Sequence, residues 1–122
     1  VSIITHGTMA HVALRAAVEL AKESIEADVL DLRSLRPLDV DAILATVAKT
    51  NRAIYLEEGW PYLGVGAQIV SIIMEEAFDD LDAPVLRVTQ ADVPMPYNKK
   101  LEVWSKPDVA RVVEACKKVL YV

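Results

Sequence analysis

Four short apolar runs, set apart by stretches of helical periodicity, constrain this chain more than any other feature. They are Ser2–Thr5 (SIIT), Asp28–Leu32 (DVLDL), Ala53–Leu56 (AIYL) and Val85–Val88 (VLRV). Short near-continuous apolar runs of this kind belong to strands covered on both faces, as strands of parallel sheets are. After the first run, Met9, Val12, Ala13, Ala16, Ala17, Leu20 and Ala21 share one helical face, and Thr8 is the expected N-cap. The many alanines predict close packing of that helix on a sheet. After the second run, Asp39 is the expected cap of a helix with Val40, Ile43, Leu44 and Val47 inward. A third helix begins around Val65–Gln68, with Ile69, Ile72, Ile73 and Ala77 inward. Thr89–Lys106, with Pro94 and Pro96, reads as a long connection. The last helix starts at Pro107, with Ser105 and Asp108 in a capping-box-like arrangement and Val109, Val112, Val113, Cys116 and Leu120 inward. Strands and helices alternating in this way wind into right-handed βαβ units. The expected fold is α/β: one three-layer α/β/α domain over residues 1–122 with a mainly parallel sheet, its strand order left open.

A chain of 122 residues that is 53% hydrophobic buries enough surface to fold without disulfides. Its 13 basic and 18 acidic side chains leave a net charge of −5, which argues against nucleic acid or an anionic membrane as partner. The longest uncharged run, Gly59–Met74, contains Pro61, three glycines and Gln68 and is no membrane span. A single cysteine, Cys116, excludes a disulfide-built module and points to a reducing compartment. The chain opens at Val1 directly in strand-like sequence, and is read as a piece of something longer.

Catalytic signatures are sparse. His6 and His11 stand about 140° apart on a helix and share no ligand face. Cys116 lies on an inward helical face and reads as core. Gly64-Val65-Gly66 is a weak echo of a phosphate loop, and its plain reading is a close-packed helix start. Glu57 and Glu58 lie just past the third strand, where ligands of open α/β sheets collect, so they are candidates for acid–base work as well as for a solvated strand end or a subunit contact. Trp60, Tyr62 and Leu63 follow as a core lid or an interface anchor. Glu75, Glu76, Asp79, Asp80 and Asp82 concentrate the acidity; the rest of the chain balances at 13 against 13. Negative charge at a helix C-terminus opposes the macrodipole, so the cluster is either a solubilising face or a surface for a basic partner.

Three stretches carry a family resemblance: Asp31–Asp39 (DLRSLRPLD), Glu57–Pro61 (EEGWP) with Gly64–Ala67 (GVGA), and Leu81–Val88 (LDAPVLRV) with Ala91–Tyr97 (ADVPMPY). Together they resemble the C-terminal, transketolase-type domain of pyruvate dehydrogenase beta subunits, along essentially the whole chain and in order. DLRSLRPLD is shared across thiamine-dependent relatives. EEGWP and ADVPMPY are closer to the pyruvate type than to the branched-chain or acetoin enzymes. The resemblance implies a mixed five-stranded sheet whose antiparallel edge strand lies upstream of Val1. It implies a parent enzyme that decarboxylates pyruvate on thiamine diphosphate and Mg²⁺, held by the alpha subunit and the beta subunit's N-terminal domain, with neither cofactor bound by this domain. It further implies contact with the alpha subunit, dimerisation with a second beta subunit, and docking of the basic subunit-binding domain of dihydrolipoyl acetyltransferase. Asp82 matches the family's docking contact and the terminal carboxylate of Val122 is the second, with Glu75, Glu76 and Asp79 around them. Glu57, Glu58, Trp60 and Leu63 become the subunit-interface candidates, and no catalytic residue is carried over. The implied location is the cytoplasm of a bacterium or the mitochondrial matrix of a eukaryote. A self-sufficient doubly wound anion-binding enzyme, using Glu57, Glu58 and the Gly64–Gly66 turn, is the alternative of a different class.

Overall fold

The computed structural model describes all residues 1–122. Four strands form one parallel sheet: β1 (Ser2–Thr5), β2 (Asp28–Asp31), β3 (Ala53–Leu56) and β4 (Leu86–Val88), in the order β2-β1-β3-β4. The two central strands, β1 and β3, are buried along their whole length, as their continuous apolar sequences require. Ile4 pairs with Leu30 on one side and Tyr55 on the other, and Thr5 pairs with Leu56. That register ends β1 and β3 level, so His6 and Glu57 emerge side by side at the carboxyl edge of the sheet. The sheet within this chain is parallel throughout; no segment forms the antiparallel edge strand of the mixed sheet.

Alternation of side chains along the central strands builds two cores, one on each face. Ile3, Ile54 and Leu56 pack beneath the helices α1 (Met9–Lys22) and α5 (Val109–Leu120), joined by Ala13, Ala16, Leu20, Val112 and Cys116. Ile4, Ala53 and Tyr55 pack beneath α2 (Val40–Thr50) and α3 (Val65–Glu76), joined by Ile43, Val47, Ile69 and Ile73. This is the three-layer arrangement expected from the sequence. No helix is long and apolar enough to cross a membrane.

Local signals hold in part. Asp39 caps α2 by accepting from the Ala42 N–H at 3.0 Å, as expected. Thr8 is not a side-chain cap: its backbone is already helical and its hydroxyl makes no cap bond. Asp108 alone caps α5, accepting from Arg111 N–H at 2.8 Å, while Ser105 bonds back to the Glu102 carbonyl. Ser105 is occupied there because the connection Thr89–Lys106 contains a short helix, α4 (Lys99–Ser105), which the sequence pattern does not reveal. On α5 the buried position near the end is Val119, not Leu120. Cys116 is fully buried, and burial pushes its thiol up to about 12, as befits a core residue.

Candidate functional site

Two groups of residues stand out, at opposite edges of the sheet. At the carboxyl edge the loop between β3 and α3 is built around Glu57. Its side chain is only 1% exposed, and its Oε1 accepts from the Gly66 N–H at 3.1 Å, inside the first turn of α3. A carboxylate is stabilised there by the helix N-terminus. The loop's glycines make the space: a Cβ on Gly59 would stand 2.7 Å from Glu57 Oε2, and one on Gly64 or Gly66 would stand 2.7 Å from Oε1. Of the interface candidates, Glu57 is the one whose carboxylate is enclosed by its own loop within this chain. The same enclosure answers the anion-site reading of Gly64–Gly66, since an internal carboxylate already fills the helix terminus.

Beside Glu57 on the sheet, Tyr55 shares a 2.7 Å hydrogen bond between its hydroxyl and His6 Nδ1. Burial, with the neighbouring Glu57 carboxylate adding to it, pushes the Tyr55 phenol far above its ordinary range. The phenol stays neutral and is a structural link, not a base. His11, the second histidine, is exposed on α1. No three His, Cys, Asp or Glu side chains come together as metal ligands.

The outer surface of this loop is apolar. Trp60 is 51% exposed and Leu63 83%, and Leu63 holds a left-handed backbone at φ +55°. Trp60 is not free to swing, because its Nε1 donates to the Val93 carbonyl at 2.9 Å. Glu58 stands 3.2 Å from Lys106, which also pairs with Glu102 at 2.9 Å. The Glu102 hydrogen bond, then Glu58, holds the Lys106 ammonium above its usual range, and the same bond holds Glu102 below the usual carboxylate range. Both groups lie at the surface, so the tie orients α4 more than it stabilises the fold. Gln90 stitches the same region: its N–H donates to the Gly59 carbonyl at 3.1 Å, and its amide, turned to satisfy both neighbours, donates to the Glu58 carbonyl at 2.8 Å.

At the opposite, amino edge lie the acidic residues. Glu75 and Glu76 end α3, where no basic side chain offsets them, and Asp79 and Asp80 follow in a 3₁₀ turn. All four are exposed. Asp82 comes next, its side chain 61% exposed and its Oδ2 3.7 Å from Arg52 Nη2. Arg52 also donates from Nη1 to the Val119 carbonyl at 2.9 Å and lies 5.4 Å from the centroid of the Tyr121 ring. The turn bearing Asp82 and the end of α5 are thus brought to one corner, around a shallow depression of about 200 Å³ lined by Ala83, Pro84, Leu86, Lys118, Val119 and Tyr121. Val122 is 78% exposed, with its N–H bonded to the Lys117 carbonyl. Glu75 and Glu76 lie off along α3, while Asp82 and the last turn of α5 both reach Arg52 at this corner. Arg52, which joins them, escapes a reading of the sequence because a lone arginine before a strand carries no pattern.

The transketolase C-terminal domain family matches residues 1–112. The chain is 48% identical to the pyruvate dehydrogenase E1 component subunit beta of Rickettsia felis over 99% of this chain and 37% of that protein. It is 50% identical to the mitochondrial pyruvate dehydrogenase E1 component subunit beta of Mus musculus, over 98% of this chain and 34% of that protein. It therefore spans little more than a third of these relatives. Among solved structures it is similar to an inactive beta4 tetramer of a split gene transketolase, with a TM-score of 0.83 and 29% identity over 98% of this chain and 38% of that one. With its parallel sheet, its helices on both faces and a family match over nearly all its length, the chain belongs to the transketolase C-terminal domain family.

Proposed function

We propose that this chain is the C-terminal assembly and docking domain of the beta subunit of a thiamine diphosphate-dependent pyruvate dehydrogenase. The observation that carries the reading is the convergence of Asp82 and the chain's last residues on Arg52, in a chain about half identical to such beta subunits. The parent enzyme decarboxylates pyruvate and passes the acetyl group to the lipoyl group of dihydrolipoyl acetyltransferase. Thiamine diphosphate and Mg²⁺ supply the decarboxylation chemistry there. The residues of this chain do not fit that pair: no metal-ligand cluster forms, and Glu57 fills the α3 terminus that a diphosphate would seek. No chemical step is assigned to this domain. Its partners are the alpha subunit, a second beta subunit and the basic subunit-binding domain of the acetyltransferase. The setting is the cytoplasm in a bacterium and the mitochondrial matrix in a eukaryote. Among 2-oxo acids, the pyruvate type is favoured over branched-chain or acetoin types by the names of the relatives.

The docking reading is tested by titrating the subunit-binding domain into the assembled parent enzyme. Asp82→Asn should weaken binding about ten- to a hundredfold, because a desolvated pair left half-broken costs far more than a rim charge. Glu75→Gln removes the same charge from the helix surface and should cost less than about threefold. Equal small losses for both charge variants would reduce the site to a diffuse acidic patch.

The assembly reading has its own test. Trp60, Tyr62 and Leu63 leave apolar surface uncovered beside the exposed Val93 and Met95, more than a lone chain needs to show. The isolated chain should therefore self-associate weakly, with concentration-dependent sedimentation that Trp60→Ala or Leu63→Asp reduces. A strict monomer at high concentration would count against this surface.

A further inference from the structure

Asn51 and Arg52 are the two-residue link between α2 and β3, and both reach outward to the acidic corner. Asn51, left-handed at φ +59°, donates from Nδ2 to the Asp80 carbonyl at 2.8 Å and accepts from the Asp82 N–H at 2.8 Å. Arg52 extends the tie to the other end of the chain, with one nitrogen facing Asp82, another on the Val119 carbonyl, and the guanidinium beside the Tyr121 ring. One two-residue link thus holds the acidic turn and the last turn of α5 together.

We infer that Arg52 is the positioning residue of the docking corner, holding Asp82 and the last turn of α5, with Tyr121 beside it, in fixed relation for a basic partner. The inference rests on the docking reading above. A helix end left loose must be ordered when a partner binds, at an entropic cost subtracted from affinity. Here the ordering is done beforehand. Arginine suits the task because its planar fork bonds two acceptors at once while its face packs on an aromatic ring; lysine offers one nitrogen and no face. Asp82 keeps its outer side free, being 61% exposed even with Arg52 at 3.7 Å.

The role has a sign that charge alone does not give. Removing a cation from an acidic surface should strengthen its attraction for a basic partner. A positioning role predicts the reverse. In the assembled parent enzyme, Arg52→Met is expected to weaken binding of the basic subunit-binding domain by about tenfold through the lost preorganisation. Arg52→Lys should weaken it to a similar degree although the charge is kept. In the double variant Arg52→Met with Asp82→Asn, the combined loss should fall short of the product of the two single losses, because the two act through one contact. Amide exchange at Val122, whose N–H is bonded to the Lys117 carbonyl, should quicken in both Arg52 variants with or without partner. Unchanged or tighter binding by Arg52→Met, or full binding by Arg52→Lys, would overturn the inference and leave docking at Asp82 standing. Unchanged binding by Asp82→Asn would remove the docking reading, and the positioning role with it.

Discussion

Gly66→Ala is expected to destabilise the domain by about 3 kcal/mol, at the upper end of the cost of overpacking a core. A Cβ there would stand 2.6 Å from Tyr55 Cδ1, 2.7 Å from Glu57 Oε1 and 3.1 Å from Arg87 Cδ. Tyr55 cannot retreat, because it is fully buried in the central strand and its hydroxyl is held by His6. Glu57 cannot retreat either, since its carboxylate bonds to Gly66 itself. The relief has to come from lifting the first turn of α3 off the sheet. Gly7→Ala is the contrast: a Cβ on Gly7 would meet nothing within 4 Å, but the backbone φ there is +63°. It should lose only the strain of a left-handed alanine, about 1 kcal/mol. Denaturant unfolding of the two variants with unchanged slope would show the difference. A Gly66→Ala domain as stable as the parent chain would mean that α3 does not sit this close to the sheet.

Glu57→Ala is the second large effect, expected to cost about 3 kcal/mol from an orphaned buried N–H and the cavity beneath three glycines. Glu57→Gln keeps the oxygen that accepts from Gly66 and fills nearly the same space, so its cost should stay near 1 kcal/mol. The pair of substitutions separates two roles for one residue. A structural plug tolerates the amide, whereas a working acid or base does not. Because the Glu57 charge is among the causes that raise the Tyr55 phenol, the amide should also bring that phenol down, read by ultraviolet titration. A glutamine variant that is stable yet leaves the parent enzyme without pyruvate turnover would reverse the assignment and place Glu57 in the chemistry.

The sheet was legible because β1 and β3 are covered on both faces, and Ile3-Ile4 and Ile54-Tyr55 announce that directly. Strand order was not, since β1 lies between β2 and β3 only through contacts distant in sequence. The helix α4 escaped because its seven residues turn Leu101, Val103 and Trp104 outward, leaving no apolar stripe to read. The Glu57 site was half legible. Two acidic residues past a strand marked the place, but only the folded loop brings Gly59, Gly64 and Gly66 around one carboxylate and turns a candidate ligand group inward. The corner proposed for docking joins Arg52, Asp82 and Tyr121 from three separate segments, and nothing periodic links them.

The proposed role of this domain is to join subunits while the chemistry proceeds elsewhere in the parent enzyme. The most direct measurement compares two activities of the parent enzyme bearing Asp82→Asn: pyruvate decarboxylation with a small artificial electron acceptor, and the overall reaction with the acetyltransferase core. The account predicts an unchanged first rate and a second that falls, with recovery as the concentration of the core is raised. A decarboxylation rate that falls in step with the overall rate would contradict it.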